Sequence, residues 1–125
     1  MINELAKQIH QNAIAKGFYE NEINIGEKLC LVHSEVSEAL EAVRKDHYTD
    51  LNKEWHIARF SKMDDDVCFI NEFELYVKNS FEDELADTII RVLDLSAYKN
   101  IDIESHIKAK MRYNSTRPHK HGKNF

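Results

Sequence analysis

Residues 24–45 read NIGEKLCLVHSEVSEALEAVRK. Ile25, Leu29, Val32, Val36, Leu40 and Val43 recur three or four positions apart, which places them on one side of an α-helix and not on one face of a strand. Asn24 can cap that helix, and Glu27 follows three residues later, as in a capping box. The spacing predicts a helix from Asn24 to about Lys45.

The same pattern extends outward. Ile2, Leu5, Ile9 and Ala13 predict a first helix over roughly 2–16, stopped by Gly17, and residues 18–23 then form a loop with exposed aromatics. Ser80, with Asp83 three residues on, opens a helix whose apolar face is Leu85, Ile89, Val92, Leu93 and Ala97, ending near Lys99 and Asn100. Asp102 caps a last helix with Ile103, Ile107 and Met111 inward, which stops before Pro118.

Residues 46–80 are less regular. Trp55, Ile57 and Phe60 suggest a short helix near 50–60, which Asp64, Asp65 and Asp66 interrupt. Phe69, Ile70, Phe73 and Val77 fit helical spacing. Val67–Ile70 and Tyr76–Val77 are also strand-friendly, but no Gly or Pro turn divides them, so helix is the preferred reading.

Composition agrees with a single all-α domain. The chain has 125 residues, 42% hydrophobic and 31% charged, with three Gly and one Pro. That length can bury a core without disulfides, and so few breakers favour helices joined by short loops. Formal net charge is −5, which argues against a protein that coats polymeric nucleic acid. Cys30 and Cys68 form no CxxC pair, so a zinc knuckle or redox motif is not expected. No signal peptide and no membrane span can be read, so the expected setting is cytoplasmic, with no membrane partner.

Two helices carry paired acids at i and i+3: Glu35 and Glu38 in HSEVSEAL, and Glu84 and Asp87 in EDELADTII. Such pairs share a helix face. On facing antiparallel helices all four carboxylates would meet, and a hard divalent cation such as Mg²⁺ would offset their repulsion. Glu35 and Glu38 are flanked by Leu31, Ala39 and Ala42, beside the apolar stripe, where acids are seldom placed unless paired or metal-bound. A solvated helix face is the plain alternative for either pair alone. Asp94 stands either as a further ligand or as the partner of Arg91, and the partner role is expected.

From Lys108 onward there are six Lys or Arg residues, two His and no acid. Lys110, Asn114 and Arg117 fall at i, i+4 and i+7, on one side of the last helix, and Arg and Lys suit phosphate oxygens. A loose, soluble terminus is the alternative.

Taken together these motifs resemble the MazG-like family of all-α nucleoside triphosphate pyrophosphohydrolases. The likeness runs through NIGEKLCLVHSEVSEALEAVRK, FEDELADTIIRVLDLSAYKNIDI and KMRYNSTRPHKHGK, in the order ExxE, ExxD, Lys–Asn–Arg. It implies an antiparallel four-helix core and Mg²⁺-dependent hydrolysis of an NTP or dNTP to the monophosphate and pyrophosphate, with Mn²⁺ able to substitute, as nucleotide-pool housekeeping. By position it implies Glu35, Glu38, Glu84 and Asp87 as metal ligands and Lys110, Asn114 and Arg117 as phosphate contacts. It also implies a homodimer or homotetramer. The interval between the acidic motifs is longer than usual for the family, so residues 46–80 read as a helical insertion.

The expected chemistry is attack by a metal-activated water, with Glu38 preferred as general base and Glu35 equally placed. Phe18, Tyr19 and Trp55 are candidates to stack on the nucleobase, each equally suited to core or interface. The chain lacks the Gly-rich run of a P-loop, a Glu-x-x-His di-iron motif and a HExxH pair. Two readings from other classes stay open: a module that binds a nucleotide without cutting it, and a structural helical bundle.

Overall fold

The computed structural model describes residues 1–49, 59–60 and 62–125. Among them are five α-helices and no strand: α1 (Ile2–Ala15), α2 (Ile25–Arg44), α3 (Asp66–Tyr76), α4 (Phe81–Tyr98) and α5 (Ile103–Ser115). A short 3-10 turn, His119–Gly122, follows. The fold is therefore all-helical, and residues 66–76 form a helix and not a hairpin arm. Trp55 and Ile57, read as part of a further short helix, lie outside the described residues.

The helices start where short polar side chains can take up free amides, because the first four N–H groups of a helix have no partner within it. Asn24 Oδ1 accepts from Glu27 N at 3.2 Å. Asp65 accepts from Val67 N at 2.9 Å, Ser80 Oγ from Asp83 N at 3.2 Å, and Asp102 Oδ1 from Ser105 N at 3.1 Å. The Asp83 carboxylate reciprocates by accepting from Asn79 N at 2.9 Å.

Three helices end alike. The residue after the cap takes a left-handed conformation: Gly17 (φ 86°), Asp46 (φ 54°) and Asn100 (φ 54°). The next amide reaches back to the last turn, as in Phe18 N to Ala13 O at 3.1 Å, His47 N to Ala42 O at 2.9 Å and Ile101 N to Ser96 O at 2.9 Å. Glycine meets this geometry without steric cost, whereas Asp46 meets it against its own Cβ.

Contacts divide the chain into two compact units, residues 1–23 with 92–125, and residues 24–91. In the first, α1 packs on α5. Met1 gives α1 no side-chain cap, and Glu104 serves instead, accepting from Ile2 N and from the Met1 amine, each at 3.0 Å. The bond from Lys108, joined by the amine and the Asn3 amide, holds the Glu104 carboxyl down to about 2. Asn3 closes the clasp, donating to Asp102 at 2.7 Å and accepting from Glu104 N at 3.2 Å. Ala6 and Leu93 are buried in this unit, while Met111, expected to face inward, is 65% exposed. The side-chain bonds that join α5 to α1 fall at its start, at Asp102 and Glu104, seven or more residues before Met111.

In the second unit His47 and Thr49 dress the start of α4. Phe81 N donates to His47 O at 3.0 Å, Thr49 N donates to Glu82 Oε2 at 2.7 Å, and the Thr49 hydroxyl donates to the Tyr76 carbonyl. The buried apolar residues here are Ala39, Ala42 and Val77. The α2 stripe is displaced from that buried face: Leu29, Val36 and Leu40 are each about half exposed. On α4, Leu85 and Ile89 are exposed as well.

Asp46 is solvent-exposed, so its side chain has little packing to lose. Asp46→Gly is expected to stabilise the protein by about 0.5–1 kcal/mol, from relief of left-handed strain less the entropy of a more flexible unfolded chain. Urea unfolding of the two proteins side by side measures it, and an unchanged or lower midpoint would count against the strain at this cap.

Candidate metal centre

The acidic site lies wholly within the unit of residues 24–91. Glu35 and Glu38 sit one turn apart on α2, and Glu84 and Asp87 one turn apart on α4. On α2 the buried positions are Glu35, Ala39 and Ala42, at i, i+4 and i+7. Glu35 thus belongs to the inward face of the helix, at 5% exposure. Glu84 is 4% exposed, Asp87 half-buried and Glu38 exposed.

One carboxylate oxygen each from Glu35, Glu38 and Glu84 lies within 4.8 Å of the others. Oxygens bound to a single Mg²⁺ sit at about 2.1 Å from it, hence about 3–4 Å from one another, so small side-chain rotations would let the three share an ion. Asp87 stands outside this trio but belongs to the same electrostatic group. Burial, followed by the charges of Asp83 and Glu35, raises its carboxyl pKa, and Arg91 opposes the rise.

Glu84 is the most perturbed member. Burial first, then the charges of Glu38, Asp83, Glu35 and Asp87, push its carboxyl up to about 7. No donor among the described residues bonds the Glu84 carboxylate, although a buried carboxylate ordinarily has one. Such a group is stabilised by taking a proton or by gaining a cation. The donor set is all oxygen and anionic, which suits a hard divalent ion over a soft one.

Glu35 has a different resolution. Arg91 Nε donates to Glu35 Oε1 at 2.5 Å. This corrects the expectation that Arg91 would pair with Asp94. Asp94 is instead engaged by His10 Nδ1 at 2.8 Å and by the Tyr19 hydroxyl at 2.6 Å. Its place on the acidic face of α4 could be read from the sequence, seven residues after Glu84 and four after Asp87, but its partner on α2 could not. Tyr19, read as a candidate base-stacking residue, has its ring against His10 at 4.6 Å and Tyr98 at 5.2 Å. Burial and the bond to Asp94 raise its phenol pKa. Phe18 is 68% exposed, and Trp55 lies outside the described residues.

Lys110, Asn114 and Arg117 belong to the other unit. Lys110 Nζ lies 5.1 Å and Arg117 Cζ 5.7 Å from the Tyr113 ring centroid, so two cations flank one aromatic. Asn114 Oδ1 is buried and has no hydrogen-bond partner among the described residues. Arg117 lies beyond the end of α5 and donates from Nη2 to His121 O at 3.3 Å.

Comparison with protein families, with curated proteins and with solved structures finds no match to this chain. No helix among the described residues is long and apolar enough to cross a membrane.

The raised Glu84 value fixes the sign of a pH effect. Its carboxyl titrates near 4.5 when unperturbed and about 7 in the folded chain. Between those values the folded state holds more protons than the unfolded state, so stability falls as pH rises. In EDTA, chemical unfolding midpoints are expected to decline from about pH 4.5 towards 7, and Glu84→Gln should remove much of that slope. An identical slope in wild type and variant would show that Glu84 is not the responsible group.

Proposed function

We propose that the chain is a Mg²⁺-dependent nucleoside triphosphate pyrophosphohydrolase of the MazG-like kind, releasing a nucleoside monophosphate and pyrophosphate. The observation that carries this reading is the carboxylate of the buried residue Glu84, bonded to no donor among the described residues and set against Glu35 and Glu38 from a second helix. Glu35, Glu38 and Glu84 hold the metal, with Asp87 beside them as a fourth ligand. When bound, Mg²⁺ polarises the phosphates and offsets charge in the transition state.

The chain's own groups have separate tasks. Glu38, the exposed member of the trio, takes the proton from the attacking water. Arg91 fixes Glu35 in place, as the outer partner of a metal ligand. Lys110 and Arg117 bind phosphate oxygens, and Asn114 offers its amide to the same groups.

The half-exposed apolar residues along α2 and α4 support a homodimer or homotetramer, since exposed apolar side chains repeated along a helix commonly meet a partner surface.

Pyrophosphate release with Mg²⁺ across the common NTPs and dNTPs tests the activity. Wild type should cleave at least one, and Glu35→Gln or Glu84→Gln should lower kcat/KM by more than about a hundredfold with far-UV circular dichroism unchanged. Tight nucleotide binding with no pyrophosphate release would replace this reading with that of a binding module. For the assembly, Leu40→Lys is expected to lower the mass seen by sedimentation. An unchanged mass would remove the α2 stripe from the interface.

A further inference from the structure

In the same unit as the acidic trio, α3 and the start of α4 border an open, groove-like cavity of about 390 Å³. Sites for small organic molecules span about 300–1,000 Å³ and combine apolar walls with a few polar groups. Phe69, Ile70 and Phe73 form the apolar wall, and Asn79 and Asp87 are among its polar groups. The Phe69 and Phe73 ring centroids are 5.9 Å apart with a 39° tilt. Phe60 buttresses Phe69 edge-on at 5.8 Å.

We propose that this cavity receives the nucleoside end of the triphosphate, with the base against Phe73 and Phe69. The inference rests on the activity proposed above and deepens it by locating recognition of the base.

Three observations converge on that occupant. Asp87 lines the cavity and also belongs to the acidic group around Glu84. A molecule in the cavity is therefore adjacent to whatever engages the carboxylates. The cavity carries three acids, Glu74, Asp83 and Asp87, against Lys78 alone. This balance repels the phosphate end and accepts a neutral one. The aromatic wall gives a flat neutral ring a stacking surface, and the exposed Asn79 amide offers one donor and one acceptor to a base edge. The segment that supplies this wall lies within residues 46–80, so the long interval between the acidic motifs has a chemical use.

The test compares a base-bearing ligand with a base-free one. Affinities of a non-hydrolysable deoxynucleoside triphosphate and of inorganic tripolyphosphate are measured by calorimetry with Mg²⁺, for wild type, Phe73→Ala and Phe73→Trp. Phe73→Ala should weaken the nucleotide by roughly five- to a hundredfold and leave tripolyphosphate and Mg²⁺ affinities unchanged. Phe73→Trp should retain nucleotide binding. The triphosphate of 2-aminopurine deoxyribonucleoside should be quenched on binding to wild type and not to Phe73→Ala.

Equal weakening of both ligands, or of neither, would overturn the base site while leaving the pyrophosphohydrolase reading intact. So would a change confined to oligomer mass, which would make the wall an interface between copies. Failure of wild type to bind either ligand or Mg²⁺ would overturn both.

Discussion

Glu35, Glu38 and Glu84 hold one carboxylate oxygen each within 4.8 Å of the others, and their mutual repulsion is a constraint that residues 24–91 must satisfy. Solvent relieves part of the repulsion at Glu38, and a guanidinium relieves part at Glu35. Glu84 has less of either: it is 4% exposed on α4, with acids as its nearest charged neighbours. Repulsion of this kind costs folding free energy that the rest of the unit must offset. Proteins tolerate such sites where a ligand restores the balance, and perturbed ionisation in a cluster of this sort is a marker of function.

Local chemistry holds the cluster in place. Ser80 is fully buried as the cap of α4; its hydroxyl oxygen accepts from Asp83 N while the Asp83 carboxylate accepts from Asn79 N, and these bonds fix where the helix begins. Glu84 follows one turn later, so the cap also sets which way that carboxylate faces. The segment around His47 and Thr49 anchors the same end through Phe81 and Glu82. Asn24 performs the equivalent task for α2 and so for Glu35 and Glu38.

Much of this was legible in the sequence because it depends on local rules. The capping residues Asn24, Ser80 and Asp102, the Gly17 stop and the helical reading of residues 66–76 all follow from short-range chemistry. Spacing at i, i+3 put Glu35 with Glu38 and Glu84 with Asp87 on two helix faces and led to the expectation that all four would meet; the structure groups the first three and leaves Asp87 outside. What was not legible depends on tertiary choice. Periodicity locates an apolar stripe but not what covers it, so the exposure of Val36, Leu40 and Met111 could not be read from spacing. Arg91 had two acids within reach of its face of α4, and sequence does not say that a third, on α2, would take it. Tyr19 looked like a loop aromatic because its partners His10, Asp94 and Tyr98 are distant in the chain.

One feature of α4 constrains how its gene segment can change. The helix is unbroken from Phe81 to Tyr98, and along it Glu84 joins the carboxylates of α2 while Arg91 reaches Glu35. A single inserted or deleted residue between Glu84 and Arg91 would swing one against the other by about 100°. Glu84 would keep its place beside Glu38 while the Arg91 guanidinium turned away from the carboxylate it now meets. Substitutions can accumulate along this stretch, but its length is fixed.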